Sequence, residues 1–195
     1  MRVGVLALQG DFDAHRRRLE ALGAEVVLVK RPEQLDEVEA LIIPGGESST
    51  FLWHLEERGF LDKLRDFVRA KPTFGTCAGA ILLANDVENP PQPSLGALDI
   101  TVRRNAYGRQ INSFIGELRT KLNGNAIEAV FIRAPKIARV GKDVEVLARE
   151  GSDPVLVRHG HVMAATFHPE LSQDDVVHRE FLKMAEAATR PKSRK

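Results

Sequence analysis

Apolar residues follow two different spacings over the first 84 residues of the chain. Short aliphatic runs end at glycine, proline or charged residues, and between them apolar residues recur every three or four positions. The first pattern is typical of buried parallel strands and the second of amphipathic helices. The predicted strands cover residues 2–8, 26–29, 40–43 and 72–74, and the predicted helices cover 12–22, 32–39, 48–57, 60–70 and 80–84. This alternation predicts an α/β fold with a doubly wound, mostly parallel sheet and flanking helices.

The pattern changes after residue 84. Residues 85–98 contain Pro90, Pro91 and Pro93, and they predict a loop. Short strand-like segments separated by turn residues follow, at 127–132, 144–148, 155–157 and 162–167. They predict an antiparallel extension or sheet edge that belongs to the same domain.

The chain closes with a helical pattern and a basic tail. Over residues 172–188, Val177, Phe181, Met184 and Ala188 fall on one stripe, which predicts a helix packed against the sheet. We expect a single domain over residues 1–188 and a flexible basic tail over residues 189–195.

Composition removes several classes of function. The 28 basic and 27 acidic residues among 195 leave a net charge of +1, which gives no electrostatic case for binding nucleic acid or a membrane surface. A single cysteine excludes an internal disulfide and any multi-cysteine zinc or iron–sulfur site. The first residues lack the pattern of a signal peptide, and no apolar run approaches the ~18 residues of a membrane span. We therefore expect a cytoplasmic protein.

The single cysteine, Cys77, lies between Gly75 and Gly79, after an apolar strand pattern and before a helical one. Glycine, a nucleophile and glycine at this spacing are typical of a sharp strand-to-helix turn, in which side chains at the glycine positions would clash. Such a turn exposes the sulfur at a helix N-terminus, where the helix dipole favours the thiolate. The alternative is a small buried thiol that packs as a hydrophobic residue.

A second candidate motif is His168-Pro169-Glu170, which follows a late strand. In an extended segment residues i and i+2 point to the same side, so the Glu170 carboxylate can orient the His168 ring. The other ring nitrogen is then free to take a proton from a thiol. In an open α/β sheet the carboxyl ends of the strands gather at one edge, so we expect both motifs to lie there.

The third candidate motif is the glycine turn Gly45-Gly46, which follows a buried strand and precedes Glu47 and Ser48. Glycines let backbone N–H groups approach a ligand closely. We interpret the turn as part of an oxyanion hole formed by the N–H groups of Gly46 and Ala78. Taken alone, it is also compatible with an ordinary turn in which Ser48 or Ser49 caps the next helix.

Together these motifs resemble those of class I, triad-type glutamine amidotransferases, and more closely the family of glutaminase subunits of pyridoxal 5′-phosphate synthase (the PdxT family). The resemblance covers nearly the whole chain. The stretches that carry it are Leu8-Gln9-Gly10-Asp11, residues 30–35, Pro44-Gly45-Gly46-Glu47-Ser48, residues 74–79, Arg104-Asn105-Ala106-Tyr107-Gly108-Arg109-Gln110, residues 130–135, and Phe167-His168-Pro169-Glu170-Leu171. The stretches around Arg104 and Arg133 are the ones most specific to this family.

The resemblance implies a role for each matching residue. Cys77 is the nucleophile, His168 the general base and then acid, and Glu170 the carboxylate that orients it. The residues implied to bind L-glutamine are Gly46, Glu47, Ser48, Arg104, Ile132 and Arg133. A fixed guanidinium suits the carboxylate of free glutamine. We expect the chain to need no cofactor and no metal.

The implied reaction is hydrolysis of L-glutamine to L-glutamate and ammonia through a cysteine thioester. The ammonia passes to a barrel-shaped synthase subunit of the PdxS type, which makes pyridoxal 5′-phosphate in vitamin B6 biosynthesis, within a large hetero-oligomer. Family members are switched on by docking, and we regard a peptide flip in the glycine turn as the switch. The Gln9-Gly10 turn and the first helix are the predicted docking surface.

Four alternatives stay open on the sequence. The chain could serve another amidotransferase, or it could be a cysteine hydrolase on a similar fold, although those usually place histidine where Ala78 follows the cysteine. A zinc hydrolase could use His159, His161 and His168, since His159-Gly160-His161 has plausible ligand spacing. A catalytically silent regulatory module is the non-enzymatic alternative.

Overall fold

The structure is a computed structural model that describes residues 1–105, 113–122, 124 and 126–189. Residues 106–110 of the family stretch that begins at Arg104, and residues 190–195 of the predicted tail, lie outside this range. The strands are β1 Arg2–Leu6, β2 Glu25–Val29, β3 Ala40–Ile43, β4 Thr73–Thr76, β5 Ala84–Glu88, β6 Leu98–Arg103, β7 Phe114–Arg119, β8 Ala126–Phe131, β9 Lys136–Val140, β10 Glu145–Glu150, β11 Asp153–His159 and β12 Val162–Ala165. The helices are α1 Phe12–Ala21, α2 Ser48–Glu57, α3 Leu61–Ala70, α4 Ala78–Leu83 and α5 Val176–Thr189, with 3-10 turns at Pro32–Glu37 and Pro169–Leu171.

A seven-stranded sheet organises the described part of the chain, in the order β10-β11-β12-β4-β3-β1-β2. The five strands from β12 to β2 are parallel, whereas β10 and β11 run antiparallel at one edge. Strands β3 and β4 are buried along their whole length, as expected for strands covered on both faces. The predicted doubly wound, mostly parallel sheet is confirmed.

Helices cover both faces of this sheet and form two apolar cores. On one face Phe51 of α2, Leu64 of α3 and Leu82 of α4 pack together. On the other face Leu19 of α1 and Phe181 of α5 pack with residues of the β7–β8 hairpin. No helix in the described ranges is long and apolar enough to cross a membrane.

The antiparallel extension was only partly predicted. Strands β10 and β11 form it, but β5, β6 and β9 form a separate small sheet, and β7 and β8 form a hairpin. The predicted loop at residues 85–98 was also wrong in its first part, because residues up to Glu88 pair in parallel with β6. Only Ala84 and Val87 of β5 are buried. Because β5 is a short edge strand with polar residues at its exposed positions, its sequence lacks the apolar run that predicts a strand.

The predicted site residues lie where four parallel strands end. The segments that follow β1, β3, β4 and β12 carry Gly10, Gly46, Cys77 and His168, respectively. Parallel strands bring their carboxyl ends to a common edge, so residues far apart in sequence become neighbours.

Candidate active site

Cys77 occupies a strained turn between β4 and α4. Its backbone has φ 48° and ψ −103°, in the left-handed half of conformational space that residues other than glycine rarely adopt. The backbone is held there from both sides: Cys77 N–H donates to the Ala165 carbonyl at 2.9 Å, and the Cys77 carbonyl accepts from Ile81 N–H. The residue is 7% exposed, so Cys77 is buried and not exposed as predicted, although it lines a cavity. Strain of this kind is typical of a nucleophile that a turn presents to a cavity.

The glycines around Cys77 are required by close packing. A Cβ atom at Gly75 would lie 2.6 Å from the Gly79 carbonyl carbon, and one at Gly79 would overlap the Ile43 carbonyl oxygen. At Gly45 a Cβ atom would lie 2.5 Å from His168 Cε1 and 3.3 Å from Cys77 Cβ. The absence of side chains therefore lets three parts lie against one another: the turn at residues 75–79 that carries Cys77 (the elbow), the glycine turn Gly45-Gly46, and His168.

His168 and Glu170 form a buried pair, with 2.7 Å between His168 Nδ1 and Glu170 Oε1. The predicted pairing is present, but the predicted local structure was wrong. Residues 169–171 form a 3-10 turn rather than an extended segment, and within this turn the Glu170 carboxylate reaches Nδ1 at the edge of the ring. The backbone of His168 is fixed by its N–H, which donates to the Val130 carbonyl at 2.8 Å.

The charges of this pair reinforce each other. Burial lowers the pKa of His168, but the contacts with Cys77 and Glu170 outweigh burial and raise that pKa to about 10. Burial raises the pKa of Glu170, but the neighbouring His15 and His168 outweigh it and lower that pKa to about 2. At neutral pH the arrangement therefore favours a carboxylate at Glu170 beside an imidazolium at His168.

Two further histidines lie behind the pair, and no motif or spacing in the sequence indicated that they belong to the site. His15 of α1 and His178 of α5 are both fully buried. His15 Nε2 lies 3.3 Å from Glu170 Oε2. One signal in the sequence could have found His15. It occupies an apolar position of its helix, and a polar ring that is buried there needs a hydrogen-bond partner.

The predicted site residues surround one cavity of about 310 Å³. Its lining residues are Asp11, Gly46, Glu47, Ser48, Cys77, Ile81, Arg104, Asn105, Ile132, Arg133, Pro135 and His168. Every residue predicted to bind glutamine is among them. Ala78 and Glu170 are outside this set: Ala78 is buried at the first position of α4, and Glu170 lies behind His168. The sequence prediction did not include four of the lining residues, Asp11, Ile81, Asn105 and Pro135.

Glu47 holds one wall of the cavity together and is not a free side chain. Its carboxylate caps α2 by accepting from Ser49 N–H at 3.0 Å and Thr50 N–H at 2.7 Å. Arg104 Nη2 lies 3.2 Å from Glu47 Oε1 and donates to Ser49 Oγ at 2.7 Å. Burial raises the pKa of Glu47, and the hydrogen bonds from Ser49 and Thr50 outweigh burial and lower that pKa to about 2. The cap therefore fixes the position of Arg104 at the cavity.

Two glutamines support the same wall from neighbouring loops. Gln9, after β1, donates from Nε2 to the Glu47 carbonyl at 2.7 Å. Gln92, in the proline-rich segment, accepts from Ser48 Oγ at 3.1 Å. The prolines near residue 90 thus belong to a segment that reaches the cavity, a connection that the sequence did not indicate.

The geometry does not support the zinc hypothesis. His161 and His168 lie at opposite ends of β12, and the Nε2 atom of His161 is 3.1 Å from the Val68 carbonyl oxygen. Among the described residues, the group whose side chains are close enough to share a metal ion is Asp11, His168 and Glu170. Within that group His168 Nδ1 is already bonded to Glu170. His168 and Glu170 therefore fit a hydrogen-bonded pair better than a set of free metal ligands.

A family model matches residues 5–187, and its description is SNO glutamine amidotransferase family. A similar relative, the pyridoxal 5′-phosphate synthase subunit PdxT of Koribacter versatilis (strain Ellin345), is 64% identical over 184 residues, covering 94% of this chain and 95% of the relative. The protein of the same name from Thermotoga maritima is 50% identical over 186 residues, covering 94% and 99% of the two chains.

Solved structures with the same fold include a crystal structure described as a glutamine amidotransferase. It has a TM-score of 0.88 and 49% sequence identity, and the match covers 94% of this chain and 98% of that one. A putative GMP synthase protein from Thermoplasma acidophilum matches with a TM-score of 0.71 at 18% identity, over 96% and 94% of the two chains. At that identity the second likeness concerns the fold alone.

Proposed function

The chain belongs to the SNO glutamine amidotransferase family, and from this premise we propose that Cys77, His168 and Glu170 are its catalytic triad. The chain is an enzyme, the glutaminase subunit of a pyridoxal 5′-phosphate synthase, and it acts in vitamin B6 biosynthesis. The observation that carries the triad assignment is the meeting of a strained Cys77 with the His168–Glu170 pair at one cavity.

In the proposed first step, the Cys77 thiolate attacks the side-chain amide carbon of L-glutamine. A new C–S bond forms while the carbonyl π electrons move to oxygen. The oxyanion collapses, the C–N bond breaks, and the His168 imidazolium gives its proton to the departing amine, which leaves as ammonia. General acid help of this kind contributes about 10²–10⁴-fold to the rate.

The second step returns the enzyme to its starting state. Neutral His168 takes a proton from a water molecule, whose oxygen attacks the γ-glutamyl thioester carbon. The C–S bond breaks, glutamate leaves, and the thiolate–imidazolium pair forms again. Glu170 remains a carboxylate throughout and holds the imidazole ring in position.

We place the oxyanion hole at the backbone N–H groups of Gly46 and Ala78. Gly46 lines the cavity with φ 143°, and Ala78 follows the nucleophile directly. A pair of donors aimed at the developing charge is typical of acyl transfer, and losing one such donor costs about 10²–10³-fold in rate. A peptide flip in the glycine turn would switch this site on when the partner docks.

For substrate recognition we assign the glutamine-binding wall to Gly46, Glu47, Ser48, Arg104, Ile132 and Arg133. The cavity offers two guanidinium groups for the substrate carboxylate. Since the Glu47 side chain is occupied by the cap of α2, its contribution is to fix the turn and Arg104. The Ser48 hydroxyl is oriented by Gln92.

We further propose that the ammonia is channelled to a PdxS-type barrel protein within a large hetero-oligomer in the cytoplasm. Support comes from the names of the relatives, which describe them as subunits of a synthase. An enzyme that releases ammonia for another active site gains from being inactive until it is docked, because free ammonia would be lost to solvent.

The decisive test measures ammonia release from L-glutamine by the native chain and the Cys77→Ala variant, each with and without the synthase partner. We expect release to require both Cys77 and the synthase partner. Oxyanion donors and binding groups survive in the variant, so its residual rate measures catalysis without the nucleophile. Undiminished hydrolysis by Cys77→Ala would overturn the mechanism.

A further inference from the structure

Two buried histidines that the mechanism does not use form a contiguous chain with the triad. His15 Nδ1 lies 3.0 Å from His178 Nε2, and His15 Nε2 lies 3.1 Å from Thr76 Oγ1 and 3.3 Å from Glu170 Oε2. His15 thus touches the residue before the nucleophile and the second oxygen of the triad carboxylate. That oxygen is buried and makes no hydrogen bond within the described ranges.

The surroundings of the two rings favour one arrangement of their hydrogens. Glu170 is a carboxylate that can only accept, so a lone pair on His15 Nε2 at 3.3 Å would be repelled, and the favoured tautomer carries its hydrogen on this nitrogen and donates it to Thr76 Oγ1. In a neutral ring Nδ1 is then bare and accepts, so His178 Nε2 carries the hydrogen that joins the two rings. His178 Nδ1 has no hydrogen-bond partner among the described residues, as expected for the bare nitrogen of a neutral ring.

The charges around the rings agree with neutral histidines. Burial lowers the pKa of His15; Glu170 and Asp11 oppose this effect and His168 adds to it. Burial also lowers the pKa of His178, to about 3, where His15 and Arg18 act in the same direction and Glu170 opposes them. An N–H dipole, rather than a second full charge, therefore faces Glu170.

From this arrangement we propose that His15 and His178 are positioning residues of the glutaminase. His178 Nε2–H donates to His15, and the N–H of His15, held by Thr76 Oγ1, lies 3.3 Å from Glu170 Oε2 and stabilises by its dipole, without a hydrogen bond, the anion that orients His168. This inference rests on the proposed triad and adds to it two residues that touch neither substrate nor thiol. His15 also ties Thr76, at the end of β4, to the turn that carries Glu170.

Loss of the His15 N–H removes the dipole that lies 3.3 Å from Glu170 Oε2, so the buried carboxylate then depends on His168, which is bonded to its other oxygen. Burial without a donor favours the protonated acid, which holds an imidazolium at His168 less firmly. The thiolate–imidazolium pair of Cys77 and His168 then becomes less populated than the neutral thiol–imidazole pair, and the reactive thiolate accumulates only at higher pH, where the thiol loses its proton to solvent. The expected signature is therefore a shift in a pH profile, which a general loss of packing would not produce.

The test measures the rate at which iodoacetamide alkylates Cys77 as a function of pH. It uses the whole chain, without glutamine or the synthase partner. In His15→Leu we expect the pH of half-maximal alkylation to rise by about one unit, so that the rate falls about tenfold at pH values well below the native midpoint. In His15→Gln the side-chain amide nitrogen can replace Nε2 as donor, and most of the shift should disappear.

The second histidine supplies an independent comparison. His178→Leu should shift the profile in the same direction by less, because it acts only by fixing the His15 tautomer. The double variant His15→Leu/His178→Leu should shift it no further than His15→Leu alone, since His178 acts through His15. His161→Gln is the matched control: this histidine is bonded to Val68 at the other end of β12 and should leave the profile unchanged.

Two results would overturn the proposal: a folded His15→Leu protein with the native profile, or a His15→Gln protein as impaired as His15→Leu. If thermal melting shows that His15→Leu does not fold, an unchanged profile in His178→Leu decides against it in the same way. Failure of the glutaminase mechanism itself would be seen separately, as glutamine hydrolysis that survives Cys77→Ala.

Discussion

At the residue scale, the site depends on positions where a side chain cannot fit. Cys77 keeps its strained backbone because α4 begins immediately after it and approaches β3 closely at Gly79. The neighbour there is backbone, the Ile43 carbonyl, which cannot rotate away as a flexible side chain could. The close contact between Gly79 and Ile43 therefore couples the position of the elbow to that of β3.

This packing predicts the effect of Gly79→Ala. Because the new methyl group would overlap the Ile43 carbonyl oxygen, we expect a loss of roughly 1–3 kcal/mol in the free energy of unfolding and a large fall in Cys77 alkylation. Urea unfolding and alkylation rates measure the two effects.

Gly23→Ala is the control, since Gly23 has φ 84° and no atom within 4 Å of its Cβ position. It should cost about 1 kcal/mol and spare alkylation. Equal effects of the two changes on alkylation would contradict the packing argument.

The sequence predicted the positions of some of these residues and not of others, for physical reasons. Cys77 and its flanking glycines are a local motif, so their spacing alone indicated the turn. The partner of His168 was also close in sequence, although the 3-10 turn that positions Glu170 was not predicted. His15 and His178 meet across 163 residues, and only the packing of α1 and α5 on one sheet face brings them together.

At the element scale, the N-terminus of α2 links fold stability to the substrate cavity. Glu47 stands at the N-cap position and satisfies two N–H groups of the first turn with its side chain. The same carboxylate pairs with Arg104, which arrives from the end of β6. A helix cap therefore positions a guanidinium at the cavity, and neither β6 nor this pairing could be inferred from periodicity.

We predict that Glu47→Ala lowers the free energy of unfolding by about 1 kcal/mol and raises the KM for glutamine about fivefold in the presence of the synthase partner. The stability loss depends on pH. The folded-state pKa of about 2 is below the ordinary value of 4.5, so the contribution is complete above pH 4.5 and disappears as pH falls towards 2.

Urea unfolding at pH 7 and at low pH, together with glutamine kinetics, measures these effects. Glu47→Gln is the matched control, because it keeps one acceptor for the cap but loses the charge. The difference in the free energy of unfolding between this variant and the native chain should therefore vanish near pH 2. A stability difference between native and Glu47→Gln proteins that grows as pH falls would contradict the assignment.

At the scale of the whole molecule, the two sheet faces contribute different parts of one site. The α1 and α5 face supplies the buried histidines, and the face with α2 and α4 supplies the glycine turn and the elbow. The turn after β1 connects them, because Gln9 bonds to Glu47 and a Cβ atom at Gly10 would overlap the Gly45 carbonyl oxygen. A substitution at Gly10 would therefore disturb the glycine turn as well as any docked partner.

An exposed position on α1 tests the predicted docking surface more cleanly than Gly10 does. Arg17 has a side chain that is 75% exposed and contacts only Asp13 of its own helix among the ion pairs described. If α1 faces the synthase partner, Arg17→Glu reverses a charge at that interface, and we expect partner-stimulated glutaminase activity at limiting synthase to fall about tenfold. Cys77 alkylation in the isolated chain should not change.

Arg69→Glu is the control. It reverses the charge of an exposed residue on α3, at the opposite sheet face, and should retain stimulation by the synthase partner. Full stimulation of Arg17→Glu, or equal losses in both variants, would place the docking surface elsewhere.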